Sequence, residues 1–189
     1  YGSGNLLSVR RALEHCGATC QTSGDPALIG DSSALVLPGV GAFRDGMDGL
    51  AKNGLIEPIL EHARAGRPLL GICLGMQLMC NYSEEGDTTC LGIFDQQVKK
   101  FQGSLKVPQI GWNKINHLQS PLFSGIKENE YMYFVHSYYV EMGKNTIAQT
   151  DYDLVYSSAL HKNNFYAAQF HPEKSSASGQ KLLENFIKI

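Results

Sequence analysis

The sequence predicts an α/β fold, with a mainly parallel central sheet flanked by helices and an antiparallel extension in the second half. Three observations carry this reading. Ala34-Leu35-Val36-Leu37 is a continuous apolar run, as expected of a strand buried on both faces, and Leu69-Leu70, after Arg67-Pro68, begins another. Helical segments over 43–51 and 55–65 stand between the two, giving the strand–helix–strand order of a parallel sheet. From residue 98 onward, short strand-like runs alternate with turns, and the helical pattern returns only at 178–187.

Taken in order, Tyr1-Gly2-Ser3-Gly4-Asn5 reads as a Gly-rich loop opening a helix. Leu6, Val9, Leu13 and Cys16 share one face of that helix, and Gly17 ends it. A loop of this kind usually follows a strand, so a first strand is expected upstream of Tyr1, and residues 1–189 are read as a single domain. The run at 34–37 ends in Pro38-Gly39-Val40-Gly41, and Gly54 and Gly66 punctuate the two helices that follow. The next strand leads into Gly71-Ile72-Cys73-Leu74-Gly75, after which Met76-Gln77-Leu78-Met79-Cys80 reads as the start of a buried helix. Residues 82–92 read as a loop. Strands are expected at 98–101, 112–117, 131–140, 147–149 and 154–160, and a hairpin is expected to turn at Asn163-Asn164 into 166–170. Leu182, Leu183, Phe186 and Ile187 fall at helical spacing in the last segment.

A chain of 189 residues, 43% hydrophobic and 18% charged, has material for one full core. A net charge of −2 points to neither a nucleic-acid nor an anionic-membrane partner. No apolar run approaches the ~20 residues that span a bilayer. The five cysteines (16, 20, 73, 80 and 90) are odd in number and lack metal-type pairing, which fits a reduced, cytoplasmic compartment. Neither a metal nor a bound cofactor is expected.

Gly71-Ile72-Cys73-Leu74-Gly75 is a nucleophile elbow with cysteine in place of serine. The turn from strand to helix is sharp, so its flanking positions must lack side chains that would collide. A cysteine there meets a helix N-terminus, where free N–H groups favour a thiolate and can hold a developing oxyanion. A buried structural cysteine in a Gly-rich strand end is the plainer alternative.

A nucleophilic cysteine needs a base, and the base needs an orienting group. Of six histidines, His15 and His62 lie in predicted helices, and His117 and His161 lie near strand ends without a carboxylate in register. His136, in Phe134-Val135-His136-Ser137-Tyr138, reads as structural or substrate-lining. His171 occurs in Gln169-Phe170-His171-Pro172-Glu173, where proline stiffens the turn and Glu173 comes close enough to orient the imidazole. Both motifs end strands, which is where ligands sit in open α/β sheets.

Pro38-Gly39-Val40-Gly41, the 71–77 elbow with Met76 and Gln77, Val135-His136-Ser137-Tyr138 and His171-Pro172-Glu173 together resemble the class I (triad) glutamine amidotransferases. Order and spacing match over nearly the whole chain. Within that family the Gly-Ser-Gly-Asn opening, Met76, Val107-Pro108-Gln109-Ile110-Gly111-Trp112-Asn113 and Lys174 are most similar to the glutaminase subunits of imidazole glycerol phosphate synthases. The resemblance implies a flavodoxin-like sheet and catalysis by Cys73, His171 and Glu173. It implies an oxyanion hole from the N–H of Leu74 and a donor at Val40 or Gly41. L-glutamine would be bound by Gln77, Glu85, Ser137 and Tyr138. A (β/α)8-barrel cyclase would be the partner in a heterodimer of histidine biosynthesis, met by Asn5, Tyr133 and Lys174. For the residues themselves plainer roles stand beside these: Glu84 and Glu85 as a solvated pair, Asn5 as a helix cap, Lys174 as a surface lysine. Three other functions stay open: a triad glutaminase serving another synthase, such as the anthranilate type; a γ-glutamyl hydrolase; and an inactive regulatory module. Met76 and Trp112-Asn113 argue against the anthranilate type, while a paralogous synthase that aminates another sugar or nucleotide stays open; chain length argues against the second, and the intact Cys73, His171 and Glu173 against the third.

Overall fold

The computed structural model describes residues 6–39, 41 and 43–189. Helix α1 (Leu6–His15) and a short α2 (Pro26–Asp31) precede strand β1 (Leu35–Gly39). Helices α3 (Phe43–Lys52) and α4 (Ile56–Arg64) then lead into β2 (Leu69–Cys73) and α5 (Leu74–Leu78). The second half holds β3 (Tyr82–Ser83), β4 (Thr88–Thr89), β5 (Gln97–Lys100), β6 (Gln109–Lys114), β7 (Tyr131–His136), β8 (Tyr138–Val140), β9 (Thr146–Tyr152), β10 (Leu154–Lys162) and β11 (Phe165–Ala168). Helix α6 (Ser176–Ile187) closes the chain.

Among the described residues the main sheet runs β1-β2-β11-β10-β8-β5-β3-β4, with β9 beside β10, while β6 and β7 pair as a separate antiparallel ribbon. Strands β1, β2 and β11 are mutually parallel. β10 and β11 form the hairpin expected at Asn163-Asn164. Insertion of β11 against β2 is the step that matters for function. It sets the C-terminal ends of β2 and β11 side by side, with Ala168 in register with Ile72, so Cys73 and His171 leave the sheet together.

Strand β2 is buried along its whole length. Leu70 and Ile72 face a core shared with Val9, Leu13, Phe134, Phe170, Leu182 and Phe186. Leu69 faces the opposite core, with Phe43, Leu50, Ile59, Leu74 and Met76. Helices thus cover both faces, which is why β2 carries no polar alternation.

Four expectations are adjusted. Residues 82–92 contain the small β3–β4 hairpin. α2, begun by Pro26 and capped by the Asp25 carboxylate on Ala27 N–H at 3.0 Å, was not foreseen because six residues are too few to show a helical period. The 131–140 strand is broken at Ser137, where the chain passes from the ribbon to the main sheet. The helix after the elbow is only five residues long, so its dipole offers Cys73 less than the sequence suggested.

Candidate active site

Cys73 ends β2 with φ 55° and ψ −110°, a left-handed conformation that a residue with a Cβ adopts only under constraint. Two glycines make the constraint possible. A Cβ on Gly75 would lie 1.7 Å from the Leu37 carbonyl oxygen of β1, and one on Gly71 would lie 2.6 Å from Met79 Sδ. The elbow is therefore pressed against the neighbouring strand, and its strain holds the sulfur at the mouth of a pocket of about 300 Å³.

His171 Nδ1 lies 2.9 Å from Glu173 Oε1, and both side chains are nearly inaccessible, 3% and 1% exposed. Cys73 is the other neighbour that acts on the imidazole, and the two residues line the same pocket. Burial is the largest single influence on His171 and pushes it down, but hydrogen bonds and charge from Cys73 and Glu173 together overcome it and raise the ring to about 9. Burial instead holds the other cysteines as thiols: Cys16, Cys20 and Cys80 are pushed up, and Cys90 reaches about 12.

The sequence missed how strand β7 serves as a spine for this site. Tyr133 O accepts from the His171 N–H at 2.9 Å, and Val135 O faces Cys73 Sγ at 3.7 Å. Ser175 Oγ accepts from Tyr133 N–H at 3.0 Å and donates to His171 O at 2.6 Å. Gln169, two residues before His171, also belongs to the site; its Nε2 lies 3.8 Å from Cys73 Sγ. Only the alternation of β7 and β11 hinted at these contacts, because backbone groups and a lone glutamine leave no motif.

Of the residues expected at the site, Gly41, Leu74, Gln77, Glu85, Ser137 and Tyr138 line the pocket with Cys73 and His171, and Lys174 stands at its edge. Gly41 has φ 110°, a conformation that glycine permits. Gly39 is in register with Cys73. Val40 and Asn5 lie outside the described residues. Gln77 Nε2 donates to Tyr138 O and to Gln169 Oε1, both at 2.9 Å, leaving Oε1 as the group it can offer a ligand. Glu85 and Glu84 separate in role. Glu84 Oε2 accepts from Lys100 N–H at 2.8 Å, away from the pocket, whereas Glu85 faces into it. Burial pushes the Glu85 carboxyl up, a hydrogen bond from Phe43 N–H opposes this, and the Asp45 charge adds to it. Tyr133 lies beneath Lys174, whose Nζ is 5.9 Å from the ring centroid.

The model of the class-I glutamine amidotransferase family matches residues 2–189. This chain belongs to the class-I glutamine amidotransferases. Its glutamine amidotransferase fold is shared with a solved glutamine amidotransferase, at TM-score 0.78 and 17% identity over 98% of this chain and 94% of that one. PurLQS from Thermotoga maritima aligns with TM-score 0.74 and 16% identity over 100% and 94%. Among relatives similar in sequence, the imidazole glycerol phosphate synthase subunit HisH of Methanosarcina barkeri is 49% identical, over 100% of this chain and 96% of its own length. The HisH of Bacteroides fragilis is 46% identical over the same shares. As a glutamine amidotransferase the chain is an enzyme.

The proton on His171 fixes the sign of a pH prediction. The imidazolium formed when His171 takes the Cys73 proton is the acid for the departing nitrogen, so the rate falls as pH rises through about 9 and that proton is lost to solvent. In Glu173→Gln one of the two groups that oppose burial loses its charge. The alkaline limb of kcat/KM is then expected to move to lower pH, with the rate down on the order of 10²-fold. An unmoved limb would deny Glu173 its orienting role.

Proposed function

We propose that this chain is the glutaminase subunit of an imidazole glycerol phosphate synthase. On this reading it hydrolyses L-glutamine to glutamate and ammonia and passes the ammonia to a cyclase subunit with a (β/α)8-barrel fold, in the cytoplasmic pathway to histidine. The observation that carries the reading is the strained Cys73 in one pocket with a buried His171 that Glu173 orients. The likeness to HisH subunits over the full chain supports the choice of synthase.

In the proposed reaction, His171 takes the Cys73 proton, and the sulfur attacks the side-chain amide carbon of glutamine. The N–H of Leu74 and a donor from Val40 or Gly41 hold the oxyanion, each worth ~3–4 kcal/mol. His171 then returns the proton to the departing nitrogen. Ammonia leaves, and a γ-glutamyl thioester stays on Cys73. Water adds with His171 as base, releasing glutamate and restoring the thiol. Gln77 Oε1 and the Glu85 carboxylate, both acceptors, suit the α-ammonium group of glutamine. Ser137 and Tyr138 form the opposite wall.

Ammonia released into neutral water becomes ammonium, which is not a nucleophile, so the product is best delivered directly. The β6–β7 ribbon beside the pocket supports a docking face for the cyclase. Ile110 (59% exposed), Trp112 (50%) and Tyr131 (51%) present apolar surface there, next to Tyr133 and Lys174. The 38–41 segment, with glycines at 39 and 41, would act as the gate by turning a peptide N–H toward the oxyanion.

Glutamate release by the chain alone, and then mixed with a barrel cyclase and its nucleotide ligand, tests this reading. Low activity alone that rises by about tenfold or more in the mixture is expected. High activity alone would reject the gate, and no rise with the cyclase would reject the partner.

A further inference from the structure

Three buried side chains beside the pocket have no part in the chemistry above. Gln109 and His136 are register partners at the end of the ribbon, and Tyr156 reaches both from β10 of the main sheet. Tyr156 Oη is 2.9 Å from Gln109 Oε1 and 3.2 Å from His136 Nε2. His136 Nδ1 is 2.8 Å from Tyr138 O. Only Ser137 separates β7 of the ribbon from β8 of the main sheet, so this cluster pins the two sheets together at the wall of the pocket.

The hydrogens can be placed from geometry. A carbonyl oxygen only accepts, so His136 Nδ1 carries a hydrogen. Burial, more than any other influence, pushes His136 down to about 4, so the ring is neutral and Nε2 is an acceptor. The Thr150 hydroxyl, another neighbour of the phenol oxygen, gives its hydrogen to Lys114 O at 3.0 Å. The Tyr156 hydroxyl is then the donor to Nε2, and its single proton cannot also go to Gln109 Oε1. Gln109 Nε2, meanwhile, is buried with no partner among the described residues. Turning this amide over, a change that leaves its shape almost the same, resolves the first conflict and puts an acceptor, less costly to leave unpaired than a donor, in the unpartnered position. Gln109 Nε2 donates to Tyr156, Tyr156 to His136, and His136 to Tyr138 O. That carbonyl also accepts from Gln77, which bonds Gln169, whose amide reaches Cys73 Sγ.

We infer that His136 and Tyr156, held in this one-way relay from Gln109, are positioning residues for glutamine. They lock the wall at 135–138 and, through Tyr138 O, the orientation of Gln77. The role rests on the glutamine reading of the pocket, whereas the direction of the relay does not.

Two measurements test it. Side-chain nitrogen NMR of isotopically labelled protein at neutral pH is expected to show His136 neutral, with its hydrogen on Nδ1. An Nε2–H tautomer or an imidazolium would overturn the relay. The second measurement is protection of Cys73 from iodoacetamide by L-glutamine. Tyr156→Phe removes one hydroxyl and keeps the ring that packs against Phe101 and Phe134. It is expected to raise the half-protecting glutamine concentration about tenfold, while unprotected alkylation stays within about twofold of wild type. An unchanged protecting concentration, or equal loss of protection and of unprotected reactivity, would overturn the positioning role. Failure of glutamine to protect even the wild-type protein would instead overturn the glutamine reading.

Discussion

Cys73→Ala is expected to remove glutamate release by roughly 10⁴-fold or more, with the melting temperature close to wild type. The variant deletes one sulfur from the pocket mouth and leaves the elbow glycines, the β2 register and the His171–Glu173 pair in place. What it takes away is the atom that carries the glutamyl group, and no other described cysteine can substitute. Cys80 and Cys90 lie beyond the elbow helix and burial holds them as thiols, while Cys16 and Cys20 lie beside α1, outside the pocket. A glutaminase rate in Cys73→Ala within about tenfold of wild type would mean that the nucleophile is misassigned.

Gly75→Ala is expected to cost about 3 kcal/mol or more of stability, and to lose activity with it. The added methyl would sit 1.7 Å from a backbone oxygen of β1, which is tied to β2 by parallel pairing and cannot swing aside as a side-chain end would. To make room, α5 and β1 must separate, which displaces the Leu74 N–H and the end of β1 at Gly39 together. Gly30→Ala is the matched control. Among the described residues nothing lies within 4 Å of a Cβ there, and Gly30 sits in α2, so the change is expected to be neutral or slightly stabilising. Urea unfolding of the two variants separates close approach from the general effect of losing a glycine. Equal stabilities would contradict the packing described for the elbow.

The parts of this molecule that were legible in the sequence are those where chemistry and backbone geometry demand particular residues. The elbow shows because Cys73 needs glycine at 71 and 75. His171 shows because a proline and a carboxylate follow it at once. The parallel first half shows because a strand covered on both faces has no polar alternation. Other features depend on pairing between distant segments, which leaves little local trace. Nothing near residue 165 says that β11 lies beside β2, yet that pairing brings Cys73 to His171. The break at Ser137 is invisible in a run of strand-forming aromatics. Gln169 and Tyr156 act through single hydrogen bonds that any polar residue in a strand can make. Gln109 takes its meaning only from facing His136 across the ribbon.

A glutamyl group on Cys73 is the event on which the proposed function depends most directly. Acid quenching during turnover of saturating L-glutamine, in wild type and in the slower Glu173→Gln, followed by peptide mass spectrometry, would detect it. The peptide containing Cys73 is expected to gain one γ-glutamyl group as a base-labile thioester, and the Cys73→Ala protein none. Glutamate produced while that peptide stays unmodified at every time point, or a glutamyl group found on another residue, would contradict the assignment.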